Sequence, residues 1–111
     1  MADTVIDAAT FAELQEAAGA EFVGELIGTF VEEAPQMLAE LRAAQTAGTA
    51  DDFRRAAHSI KSNANTFGAL RLGEMARELE LGGLVVDTAP IDALQAEYER
   101  VAAALRELSR G

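Results

Sequence analysis

Apolar residues along this chain return every three or four positions and almost nowhere every second one, which is the period of helices packed on one side. The first run is short, about residues 7–18, with Phe11 and Leu14 turned inward. A long one follows, about 20–47, with Phe22, Val23, Leu26, Ile27, Phe30, Met37, Leu38 and Leu41 as its stripe. Pro35 lies inside that helix, removes a backbone donor and is expected to kink it. Gly48 suits a left-handed C-terminal position, and Thr49 is the expected N-cap of a third helix running to about residue 67. Asp51 and Asp52 fall in its first turn, where carboxylates favour the helix dipole. Gly68 breaks the pattern before a fourth helix, about 69–82, with Leu72, Ala76 and Leu79 inward and Gly82-Gly83 at its end. Thr88 is placed to cap the last helix, with Pro90 tolerated in its first turn. Ile91, Leu94, Tyr98, Val101, Leu105 and Leu108 then step by threes and fours, a bundle seam. The pattern predicts an all-α fold, an antiparallel four-helix bundle with an additional short N-terminal helix.

Composition narrows what such a bundle can do. A length of 111 residues suits one domain spanning 1–111, and 50% apolar residues can build a core. A net charge of −10 argues against nucleic acid or an anionic membrane as partner, since phosphates would be repelled. The chain has no cysteine, which excludes disulfides, thiolate metal sites and cysteine nucleophiles. One histidine without cysteine is also a poor transition-metal ligand set. The N-terminal residues carry Asp3, Asp7 and Glu13 and no signal-peptide pattern, so a cytoplasmic location is expected.

The third helix changes the picture, because it carries two stripes. Phe53, Ala57, Ile60, Ala64 and Phe67 form its core face. Beside them run Arg54, His58, Lys61, Ser62 and Asn65. The chain's single histidine is therefore off the apolar seam, and its single lysine lies three residues later on the same helix surface. Ser62, one turn past His58, is small and leaves the imidazole uncovered. From Asp51 to Glu80 five acids meet five bases, so that segment is neutral and the rest of the chain holds the whole −10. An anionic group is best tolerated there. A neutral imidazole attacks phosphorus through one ring nitrogen when the other is hydrogen-bonded, and a nearby ammonium offsets charge on the phosphoryl oxygens. Glu78 and Glu80, on the next helix, are the candidates for holding the second nitrogen. A lone histidine or lysine on a helix is, taken alone, more often a solvated surface residue.

The segment from Ala57 to Ala69, AHSIKSNANTFGA, resembles the signature of histidine-containing phosphotransfer (HPt) domains: His, any residue, an aliphatic, Lys, small residues, then an apolar residue and Gly. The likeness extends to Phe30, Pro35, Leu38, Leu41 and Gly48 upstream and to Leu72 and Leu79-Glu80 downstream. It implies a usually monomeric four-helix bundle that carries a phosphoryl group between receiver-domain aspartates, without kinase activity of its own. By position it makes His58 the phosphoacceptor, Lys61 the cation beside the phosphoryl group, Gly68 the turn glycine and Glu80 the residue that bonds the imidazole. Docking is expected around His58, at Arg54, Arg55, Ser62, Asn65 and Gly68. The implied partners are response-regulator receiver domains and hybrid or sensor histidine kinases. No cofactor is expected, with Mg²⁺ carried only by the receiver. Two positions depart from the pattern: Ser62 stands where Gly is commonest, and Asn63 where Ser or Ala is usual.

Two other readings compete. The phosphoacceptor and dimerisation module of sensor kinases also sets a His on a helix, but there an acidic residue typically follows and then a kinking Pro. Here Ser59 follows, no Pro occurs between 36 and 89, and no glycine-rich nucleotide loop is present. The other is a helical interaction module in which the histidine is incidental.

Overall fold

The computed structural model describes residues 5–110. It has five helices: α1 (Ala8–Ala18), α2 (Ala20–Ala47), α3 (Ala50–Phe67), α4 (Leu70–Gly82) and α5 (Ala89–Arg110). There is no strand among the described residues. Helices α2 to α5 close a ring in which each packs on two others, α2 on α3 and α5, α4 on α3 and α5. Contacts run in opposite residue order across neighbours, as in Arg42 to Gln95 and Val31 to Tyr98, or His58 to Glu80 and Asn65 to Gly73. The four are therefore antiparallel. Helix α1 lies across α2 and α3 at one end.

The predicted stripes are the core. Val23, Ile27, Phe30, Leu38 and Leu41 from α2 meet Phe53, Ala57, Ile60, Ala64 and Phe67 from α3. Leu72, Ala76 and Leu79 close it from α4, and Ile91, Leu94, Val101 and Leu105 from α5. Alanines 34, 44, 56 and 69 are buried as well and let the helices approach closely. Phe30 sits between Phe67 and Tyr98, its ring centroid 5.4 Å and 5.7 Å from theirs. Two expected core residues face out: Phe22, 51% exposed, and Leu108, 42% exposed, lie near the ends of α2 and α5, where fewer neighbouring helices overlap.

Helix ends follow local chemistry, with corrections. Gly48 and Gly68 both take the left-handed conformation, and Thr49 N–H and Ala69 N–H reach back to the carbonyls of Ala44 and Ala64. Thr49 stands at the N-cap of α3, but its hydroxyl bonds the Ala44 carbonyl instead of an amide of its own helix. Ahead of α5 it is Asp87, not Thr88, whose carboxylate accepts an N–H, that of Ala89, at 2.8 Å. The loop between α4 and α5 is pinned by Gln45, whose side-chain amide both donates to the Val85 carbonyl and accepts from the Val85 N–H.

Pro35 does not break α2, which runs through it as one helix. A proline cannot donate to the carbonyl four residues back, here that of Val31. That carbonyl accepts instead from the Tyr98 hydroxyl of α5 at 3.2 Å.

Candidate functional site

Three side chains predicted from sequence come together where α3 meets the last turn of α4. His58 Nδ1 lies 2.9 Å from Glu80 Oε2. The Lys61 ammonium lies 2.7 Å from the other oxygen, Oε1. A carboxylate only accepts, so Nδ1 carries the hydrogen, and in the neutral ring the lone pair is on Nε2. The imidazole is 57% exposed, while Glu80 is only 17% exposed and Lys61 25%. The ring is thus presented to solvent on top of a half-buried charge pair. Lys61 and then His58 hold the Glu80 carboxyl below its ordinary value of 4.5. It is an anion at neutral pH.

The backbone explains why these three meet. Residues 58 and 61 are one turn apart on α3. One turn further, Asn65 lies directly over Gly73, where a Cβ would sit 2.1 Å from the Asn65 amide oxygen. A side chain at residue 73 would force the helices apart or displace Asn65. With α4 held close there, residue 80, two turns beyond residue 73 on the same helix face, falls beside His58. Glu78, two residues away, faces solvent. Of the two carboxylates that the sequence left open, the fold selects Glu80.

The remaining expected docking residues separate. Arg54 and Ser62 flank His58 on exposed turns of α3, and Arg54 pairs with Asp51 at 3.1 Å. Arg55 lines a groove between α2 and α3, about 490 Å³, together with Glu40, Asp52 and Ser59 and a floor of alanines. Asn65 is exposed but serves the α3–α4 contact just described. Gly68 does not belong to an exposed docking surface. It is buried, its carbonyl accepts from Asp7 N–H at 2.8 Å, and its missing Cβ would lie 3.0 Å from the Asp7 carbonyl oxygen. With φ at +84° the position favours glycine twice over, for conformation and for space. Its role is to seat α1. Asn63, one of the two departures from the signature, folds back onto the Ser59 carbonyl at 2.9 Å and leaves His58 alone.

Sequence reasoning missed the apolar residues beside the site. Leu81, in the last turn of α4 next to Glu80, is 68% exposed, and Leu84, in the loop after the helix, 38%. Helical period could not have paired them, because Gly83 ends α4 between the two. Among the described residues no group of three or more His, Asp or Glu gathers in a way that could hold a metal ion. Nor is any helix there long and apolar enough to cross a membrane.

The family model of the Hpt domain matches residues 25–104. No curated protein sequence matches. Among solved structures, histidine-containing phosphotransfer protein B (HptB) from Pseudomonas aeruginosa PAO1 superposes with a TM-score of 0.76 at 32% identity, covering 98% of this chain and 94% of that one. All three site residues fall within the matched segment, and the chain belongs to the Hpt domain family.

Proposed function

We propose that the protein is a phosphocarrier whose His58 Nε2 takes a phosphoryl group from the aspartyl phosphate of one receiver domain and delivers it to another. The observation that carries this reading is the Nδ1 contact to Glu80, which leaves the nucleophilic lone pair on the exposed side of the ring. The lone pair attacks phosphorus as the acyl–phosphate bond breaks. Lys61 has three hydrogens and uses one direction on Glu80, so it can also bond phosphoryl oxygens as charge passes to them. Docking supplies orientation and excludes water. The alanine-floored groove beside Ser59 and the exposed Leu81 next to Glu80 are available for it.

The chain serves as a carrier and not as a kinase on this reading, with the receiver bringing its own Mg²⁺. The four helices closing one bundle from a single chain favour it over a dimerisation module, and no second chain is needed to complete the core. The test is phosphoryl labelling with a phosphorylated receiver. The label should be acid-labile and base-stable, and absent from His58→Gln, which should melt like the parent protein. Undiminished labelling of that variant, or stoichiometric labelling of the purified chain by Mg-ATP alone, overturns the proposal.

A further inference from the structure

We propose that Glu80 keeps the Nδ1 proton on the His58 ring after the phosphoryl group arrives, so that transfer exchanges no proton with solvent in either direction. The inference rests on the phosphoacceptor reading of His58 and adds a property that reading does not require.

The bond accounting is simple. Before transfer the ring is a neutral imidazole with hydrogen on Nδ1, bonded to Glu80 Oε2. The Nε2 lone pair forms the N–P bond while the P–O bond to the aspartyl oxygen breaks, and that electron pair leaves with the aspartate carboxylate. The ring has neither gained nor lost a proton, so it is now a phosphoimidazolium with one positive charge. Delivery runs backwards: the N–P bond breaks onto Nε2, and the ring leaves as neutral imidazole. If Nδ1 loses its proton to water in between, the leaving group becomes an imidazolate, a far worse one, and delivery stalls.

A carboxylate against Nδ1 opposes that loss by charge as well as by hydrogen bonding, whereas an amide in its place could only hydrogen-bond. The structure fits this use. Oε1, the oxygen on the Lys61 side, is shut away from water, so the carboxylate is anchored while Oε2 faces the ring. Glu80 stays ionised for the reasons given above. The other charged groups near the ring are engaged elsewhere or stand apart. On α3, Arg54 pairs with Asp51, and Arg55 faces the groove toward α2 with Asp52. From α2, Glu40 lines that same groove, and on α4 Arg77 pairs with Glu74 at 3.8 Å. Helix α1 brings Asp7, bonded to Thr10, to the Gly68 end of α3. Only Glu80 contacts Nδ1 among the described residues.

The test phosphorylates the chain with phosphoramidate, a small-molecule donor, and follows the phosphohistidine by phosphorus and ring-nitrogen NMR across a pH titration. Transfer to one isolated receiver is timed over the same range. In Glu80→Gln the phosphorylated ring should lose its proton at about tenfold higher proton concentration than in the parent. Its delivery rate should fall across that interval while the parent's stays flat. Lys61→Met, which frees Glu80 from its cation, should shift the ring's titration the opposite way. A purely structural role for Glu80 predicts no such opposition. Coincident titration curves for the parent and both variants overturn the inference while leaving His58 as phosphoacceptor. Failure of residue 58 to label in the folded parent removes both.

Discussion

Two carboxylates in this bundle are built alike and used differently. Glu80 on α4 faces His58 and Lys61 of α3. Glu97 on α5 faces Arg71 of α4, at 3.6 Å, and Arg100 one turn along its own helix, at 2.6 Å. Each is a largely hidden carboxylate shared between two nitrogen-bearing side chains. The difference is in the partners. A guanidinium has no lone pair to offer and does not lose its proton, so the Glu97 cluster is chemically complete and ties α5 to α4. An imidazole fixed at one nitrogen still has another, so the Glu80 cluster is complete electrostatically yet open chemically. One titratable partner in place of an arginine converts a structural ion cluster into a site.

Breaking the Glu97 cluster should cost most stability. Removing both arginines strands a carboxylate that is only 3% exposed. Arg71→Ala/Arg100→Ala should lower unfolding free energy by roughly 2–3 kcal/mol in urea denaturation, less than for a fully buried pair because both guanidiniums are largely open to water. Phosphoryl acceptance should persist. If it fails while the fold survives, the two clusters are not independent.

Lys61→Ala should do the reverse. Transfer between carrier and receiver should slow about 10- to 100-fold, equal to roughly 1.4–2.7 kcal/mol of barrier, with little change in melting. Stopped-flow transfer kinetics beside a thermal scan decide this. A large stability loss with a normal rate would make Lys61 a counterpart of Arg100.

Tyr98 provides a polar contact of the structural kind away from both carboxylates. Tyr98→Phe should cost about 1 kcal/mol, because the Val31 carbonyl loses its donor. In a Pro35→Ala background the helix supplies its own N–H, and the same change should cost close to nothing, a coupling readable in a double-mutant cycle. Burial pushes the Tyr98 phenol above its ordinary value of 10.0. The unfolded chain therefore ionises first, and stability should fall as pH rises past that value, a loss that Tyr98→Phe abolishes.

The smallest effect is on the acid side. The Thr10 hydroxyl, and then its N–H, hold Asp7 below its ordinary 3.8, as Lys61 and His58 hold Glu80 below 4.5. Folded values below unfolded ones mean that the contribution is whole above those ordinary values and is lost as pH falls through the folded ones. Asp7→Asn and Glu80→Gln should each flatten the acid limb of the stability curve in that window. An unchanged limb for Glu80→Gln would mean that its two contacts do not outlast solvent competition.

Much of this molecule was legible along the chain, and the exceptions have a common cause. Helix extents, the core stripes and the shared surface of His58 and Lys61 follow from the period of one helix, which is a local property of the backbone. Glycines 48 and 68 mark ends for the same local reason. What the chain alone left open was always a relation between helices. Spacing alone left Glu78 and Glu80 both open, although the family signature pointed to Glu80, and the close approach of α4 at Gly73 turns residue 80 toward His58. Gly68 lies on no binding surface, because the start of α1 covers it. Glu97 sits in a polar stretch of α5, yet is 2% exposed, and Arg71 reaches it from another helix. The Val31 carbonyl orphaned by Pro35 could be foreseen, but not its rescue by a hydroxyl 67 residues away. Periodicity fixes which side of a helix is apolar; the rotation of one helix against its neighbours, which decides the polar partners, is set only when all the side chains of the core pack at once.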